Sequence, residues 1–217
     1  MLLGVLILVD ATASFTQKLK VLCLHGYGQN GDILRDRSGG FRRALKKSQY
    51  ELFYPSGPFG CTAKSEDEAT ADEDVSRRAW WRGPSTEDSY MGWHQSRSEL
   101  LALWERECFD AVFGFSQGSA AAAMLCAEMR PQFGIFISGF VPRDHEAAAS
   151  LLAGVQVPTL HVIGGADSLV VPARSHALVS LCQDPTVVEH EGGHMIPSGA
   201  AVRAQVRDFL GSIVESA

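Results

Sequence analysis

Basic charge is scarce in this 217-residue chain: 19 Lys and Arg stand against 25 Asp and Glu, leaving a net charge of −6. That balance excludes a general nucleic-acid surface, which needs clustered cations against phosphates. Cys-x-x-Cys is absent as well. The five cysteines (Cys23, Cys61, Cys108, Cys126, Cys182) are odd in number and widely scattered. They exclude a disulfide framework or zinc knuckle and point to free thiols in a reducing compartment. Leu2 to Val9 is an apolar run of eight residues, far too short to span a bilayer, so no stable membrane insertion is expected. Ala11-Thr12-Ala13 mimics a signal-peptidase site, yet no basic residue precedes the run and Asp10 interrupts the approach. Residues 1–17 are therefore expected to be an extension (an extra strand, a leader or a misassigned start), with secretion as the alternative.

What is present fits one medium domain over residues 18–217, large enough to bury a core without disulfides or metal. Hydrophobic content of 46% and charged content of 20% are ordinary for a globular protein. Strands are expected at 20–24, 50–54, 109–113, 133–138, 159–163 and 186–189. Helices are expected at about 41–45, 91–107, 146–152, 173–181 and 198–214, with another opening after residue 118. Strands alternating with helices imply a mostly parallel sheet covered on both faces. Residues of about 55–90 form a long excursion, as in a lid or binding loop. It carries an acidic run at 64–74 and the pair Trp80-Trp81, which either lines an apolar pocket or packs in the core.

Three stretches compete for the chemistry. His25-Gly26-Tyr27-Gly28-Gln29-Asn30-Gly31 holds Gly-x-Gly-x-x-Gly after a strand. A dinucleotide site would need a helix opening there, and Asp32 to Gly40 is expected to be too polar and broken to form one. Nor does an acidic residue end the next strand, which finishes Tyr54-Pro55. His190-Glu191-Gly192-Gly193-His194 is formally His-Glu-x-x-His. A zinc-dependent hydrolase using His190 and His194 requires a helix, and two central glycines after strand-like Val187-Val188 predict a loop instead.

The third stretch is Gly114-Phe115-Ser116-Gln117-Gly118, between an apolar run and Ala120-Ala121-Ala122-Ala123. Strand, sharp turn, helix is the setting of a nucleophile elbow. Asp167 follows the 159–163 strand through Gly164-Gly165-Ala166, and His194 follows the next strand. The order Ser116, Asp167, His194 is that of nucleophile, acid and base in α/β-hydrolases. A helix-capping Asp167, a structural His194 and His190 as substitute base are the alternatives. The His25-Gly26 turn can present the Tyr27 N–H to an oxyanion, together with the N–H of Gln117. His25 itself is expected to stabilise the turn. Trp80, Trp81 and Phe115 are the candidate substrate pocket, favouring medium or long acyl chains.

The chain resembles the FSH-type serine hydrolases, small α/β-hydrolases with fungal members and a human member linked to an ovarian tumour locus. The resemblance rests on residues 21–31, Ala79-Trp80-Trp81, residues 109–118, Pro158–Gly164 with Asp167, and Gly193-His194-Met195-Ile196-Pro197. It implies a single α/β-hydrolase domain and hydrolysis of carboxylic esters or thioesters by Ser116, Asp167 and His194. It also implies no cofactor and a cytoplasmic or nuclear setting. A non-catalytic binding protein on the same fold is the remaining alternative. Oligomeric state and physiological substrate are not written in the chain.

Overall fold

The computed structural model describes residues 18–45, 49–61, 77–82 and 90–216. The N-terminal extension and the acidic run lie outside them. In chain order the elements are β1 (Leu19–Leu24), α1 (Gly31–Arg37), β2 (Tyr50–Phe53), β3 (Phe59–Gly60), β4 (Arg78–Ala79), α2 (Trp93–Glu107) and β5 (Ala111–Phe115). There follow α3 (Gln117–Met129), β6 (Phe133–Ile137), α4 (His145–Leu152), β7 (Thr159–Gly164), α5 (Pro172–Val179), β8 (Thr186–His190) and α6 (Ala200–Ser216). The expected strands and helices are found to within two residues at most ends. The 41–45 segment differs: its helical part is a 3-10 turn at Phe41–Arg43.

Six strands form one parallel sheet in the order β2-β1-β5-β6-β7-β8, and β3 pairs antiparallel with β4 apart from it. Every residue of β5, β6 and β7 is buried, as expected of central parallel strands covered on both faces. Alternation along β1 sorts the core. Leu22 and Leu24 face the layer holding Trp93, Leu100, Trp104 and the alanines of α3, while Val21 and Cys23 face the layer of Leu34, Phe41, Val206 and Phe209. Helix α2 buries Trp93, Ser96, Leu100 and Trp104, a spacing that draws one stripe along a 3.6-residue helix. Helix α3 buries ten consecutive residues; its small alanines let it lie close against β5 and β6.

The chain leaves β1 for β2 on one side and later returns to β5 on the other. The order of the sheet therefore reverses between β1 and β5, and the carboxyl ends of these two strands flank the crevice where open α/β sheets hold ligands.

One expectation is overturned here. Residues 31–37 do form a helix, despite their polarity. Asn30 caps it, its side chain accepting from the Ile33 N–H at 2.8 Å, and Leu34 is fully buried. A cap worth about 1 kcal/mol and one buried leucine suffice for two turns. The helix does not restore the dinucleotide reading, because the Gly31 N–H is already bonded to Ser56 Oγ at 3.1 Å and the Ile33 N–H to Asn30.

Candidate active site

β5 ends at Phe115 and α3 starts at Gln117, leaving Ser116 alone in the turn with φ 54° and ψ −118°. A serine at positive φ stores about 1–3 kcal/mol of backbone strain, which surrounding structure must hold in place. Here the Ser116 N–H donates to Ile137 O at 2.9 Å, and its carbonyl accepts from the Ser119 and Ala120 N–H groups. The flanking glycines are needed for closeness. A Cβ on Gly114 would lie 2.6 Å from Ser119 Cα, and one on Gly118 would lie 2.6 Å from the His25 carbonyl oxygen.

Asp167 and His194 come from the loops after β7 and β8. Those loops are stitched together: the Gly165 N–H donates to His190 O at 2.7 Å and the Ala166 N–H to Gly192 O at 3.1 Å. Gly164 permits the approach, since a Cβ there would stand 2.6 Å from the carbonyl oxygens of Gly192 and Gly193. The result brings three distant side chains into one line. His194 Nε2 lies 2.9 Å from Ser116 Oγ, and His194 Nδ1 lies 2.7 Å from Asp167 Oδ2. The carboxylate can only accept, so the geometry assigns the ring proton to Nδ1 and leaves the Nε2 lone pair facing the hydroxyl.

The other carboxylate oxygen accepts from the Leu169 and Val170 N–H groups at 3.0 and 2.8 Å. Burial works against ionisation of Asp167, but the Val170 N–H, the His194 ring and the Ser138 hydroxyl outweigh it and hold the carboxyl below its usual range. Ser138, itself at φ 48°, is buried; its hydroxyl lies close enough to favour the ionised form without closing a hydrogen bond. No sequence pattern marks Ser138, because only the pairing of β6 with β7 brings it to Asp167.

The Tyr27 loop lies beside the elbow: a Cβ on Gly26 would be 3.3 Å from Ser116 Cβ. Among the described residues neither the Tyr27 nor the Gln117 amide N–H has an acceptor. Two unpaired N–H groups beside a nucleophile turn are what an oxyanion requires. His25 is fully buried, with Nδ1 on Gly26 O at 2.8 Å and Nε2 accepting from the Gly57 N–H at 2.9 Å. Burial pushes it down to about 4, so it is a neutral brace for the turn.

The tryptophan pair is placed differently from a pocket wall. Trp80 and Trp81 are 2% and 4% exposed and belong to the core. Trp81 stacks on Tyr90 at 5.1 Å and meets Trp93 edge-on, while the Trp80 indole N–H is spent on His25 O. Phe115 is also buried, its ring 4.9 Å from that of His194. Exposed apolar side chains lie on the same loops: Tyr27 follows the His25-Gly26 turn, Leu169 and Val171 follow Asp167, and Met195 follows His194. Residues 190–194 are a strand end and loop, and His190 Nδ1 accepts from the Gly192 N–H at 3.1 Å. The helix that a His-Glu-x-x-His metal site needs is not formed there.

Known proteins agree with this architecture. Residues 14–206 match the family model for serine hydrolase (FSH1). Esterase OVCA2 of Danio rerio is 32% identical over 88% of this chain and 96% of its own length. Esterase OVCA2 of Xenopus tropicalis is 30% identical over 88% and 92%. Among solved structures, Zea mays acyl-protein thioesterase 2 superposes with a TM-score of 0.63 at 18% identity, covering 93% of this chain and 96% of that one. The fold is that of the α/β-hydrolases, and the chain, an esterase-type enzyme, belongs to the serine hydrolase (FSH1) family.

Proposed function

We propose that the enzyme cleaves carboxylic esters of medium to long acyl chains through an acyl-serine intermediate at Ser116. The observation that carries this reading is the continuous contact from Ser116 Oγ to His194 at 2.9 Å and from His194 to Asp167 at 2.7 Å. His194 Nε2 takes the hydroxyl proton as Oγ attacks the ester carbonyl, and the Tyr27 and Gln117 N–H groups bind the oxyanion. Asp167 holds the imidazole in its Nδ1–H form and stabilises the imidazolium. The intermediate collapses as His194 returns the proton to the leaving oxygen. Water then attacks the acyl-serine with His194 as base, and the acid departs as Ser116 recovers its proton. Exposed Leu169 and Val171, next to Asp167 in the chain, and Met195, next to His194, are apolar surface that an acyl chain can use.

A thioester enters the same machinery, so the triad alone does not select between the two. Likeness to an acyl-protein thioesterase keeps that substrate in the test. A fluorophosphonate probe is expected to label the wild-type enzyme at one serine and to leave Ser116→Ala unlabelled and inactive. Hydrolysis rates for p-nitrophenyl esters and acyl thioesters of increasing chain length then separate the substrate classes. Retained esterase activity in Ser116→Ala would refute the assignment; a flat chain-length profile would remove the acyl preference alone.

A further inference from the structure

We propose that Trp80 is a positioning residue for the oxyanion turn: its indole N–H holds the His25 carbonyl and thereby fixes the direction in which the Tyr27 amide points. The inference rests on Tyr27 and Gln117 acting as the oxyanion donors. A turn that must offer a free N–H cannot be held by that N–H, so its neighbours must hold it.

Residues 26–29 show this division. The Gly26 N–H donates to Gln29 Oε1 at 3.2 Å, the Gly28 N–H to Arg78 O at 3.0 Å and the Gln29 N–H to Gly26 O at 3.1 Å. Of these four consecutive amides, Tyr27 alone lacks an acceptor among the described residues. The bracing comes from the excursion: the Arg78 N–H donates to Gln29 O at 2.8 Å, the Gly57 N–H to His25 Nε2 at 2.9 Å, and Trp80 Nε1–H to His25 O at 2.9 Å. The Trp80 and His25 rings also pack 4.9 Å apart.

The second donor is tied to the same residue pair. The Trp80 backbone N–H donates to Gln117 Oε1, and Gln117 Nε2 donates to Trp81 O, both at 2.9 Å. Gln117 thus offers its backbone N–H to the site and uses its side chain to grip the segment that braces the other donor. Trp80 links the two N–H groups through buried hydrogen bonds, which sets their separation. Core packing by itself would require the ring and not the N–H.

Trp80→Phe keeps an aromatic ring and removes the donor. With a p-nitrophenyl ester, kcat is expected to fall about tenfold or more while KM stays within about twofold, the signature of an interaction made in the transition state. Affinity for an aryl boronic acid, which forms a tetrahedral adduct on serine, should fall by a similar factor. Replacement of Trp80 by benzothienylalanine, equal in shape but without the N–H, should give the same split and covers a failure of the phenylalanine variant to fold. Ser96→Ala is the control, because the Ser96 hydroxyl bonds the Trp80 backbone carbonyl and leaves the indole N–H contact with His25 O untouched. Its kcat should stay within about twofold of wild type whatever its melting temperature does. Wild-type kcat and boronate affinity in both tryptophan replacements overturn the proposal, as does an equal kcat loss in Ser96→Ala. Fluorophosphonate labelling of Ser116 in wild type and in Trp80→Phe shows that the site itself is sound; its absence in wild type removes the site and the brace together.

Discussion

Ser116 carries two burdens, since the proposed nucleophile also holds an unfavourable backbone angle. With φ at 54° its Cβ meets a steric penalty that glycine would escape. Ser116→Ala and Ser116→Gly both remove the hydroxyl and its contact with His194, so their difference isolates the strain. The glycine variant is expected to be the more stable of the two by about 1 kcal/mol in urea unfolding, after allowing for glycine's greater entropy when unfolded. A glycine variant no more stable than the alanine variant contradicts a strained elbow. Asp167 is tuned in the opposite sense. Its carboxyl lies below the usual range, so its support for the fold is complete above ordinary carboxylate values and is lost only as pH falls through the lowered one. At neutral pH it is therefore always available to orient His194.

Among the elements, the elbow depends on how closely α3 approaches the end of β1. Gly118 stands where any Cβ would overlap the Leu24 carbonyl oxygen and crowd that of His25. Backbone cannot yield as a flexible side chain would, so Gly118→Ala is expected to lose about 1–3 kcal/mol of stability and most of its activity. Chemical denaturation and a p-nitrophenyl ester assay check both; unchanged stability would show that the helix is free to shift. The same elements mark what the sequence can and cannot disclose. Apolar runs of five residues gave away β5 and β6, and a mostly apolar stretch broken by Thr159 and His161 gave away β7, because both faces of these strands are buried. The glycines at 114 and 118 mark the elbow because only they allow so tight a turn. Helix α1 was hidden: its stability comes from one cap and a buried Leu34, which composition does not reveal. Trp80 was readable as an apolar residue but not as a donor, since its acceptor, His25 O, lies 55 positions away. Contacts of that range exist only once the sheet has formed.

For the molecule as a whole, buried histidines set the response to acid. Burial pushes His25 and His161 down to about 4, with His176 adding to the effect at His161. Their usual value is 6.5, so between the two the unfolded chain binds protons that the folded chain refuses. The stabilisation is complete above 6.5 and is lost as pH falls toward about 4. Two such groups give a limiting slope of about 2.7 kcal/mol per pH unit. Urea unfolding at pH 7 and pH 5 should show a marked loss at the lower pH, with a shallower dependence in His161→Asn; equal stability at both would contradict the buried neutral state. The central claim is also one of whole-chain geometry, namely that loops from β1, β5, β7 and β8 assemble one acyl-transfer centre. Rapid quenching with a p-nitrophenyl ester followed by mass spectrometry tests it most directly. The account predicts a transient acyl adduct on the peptide containing Ser116, absent from Ser116→Ala; turnover without that adduct, or an adduct on exposed Cys108 instead, would contradict it.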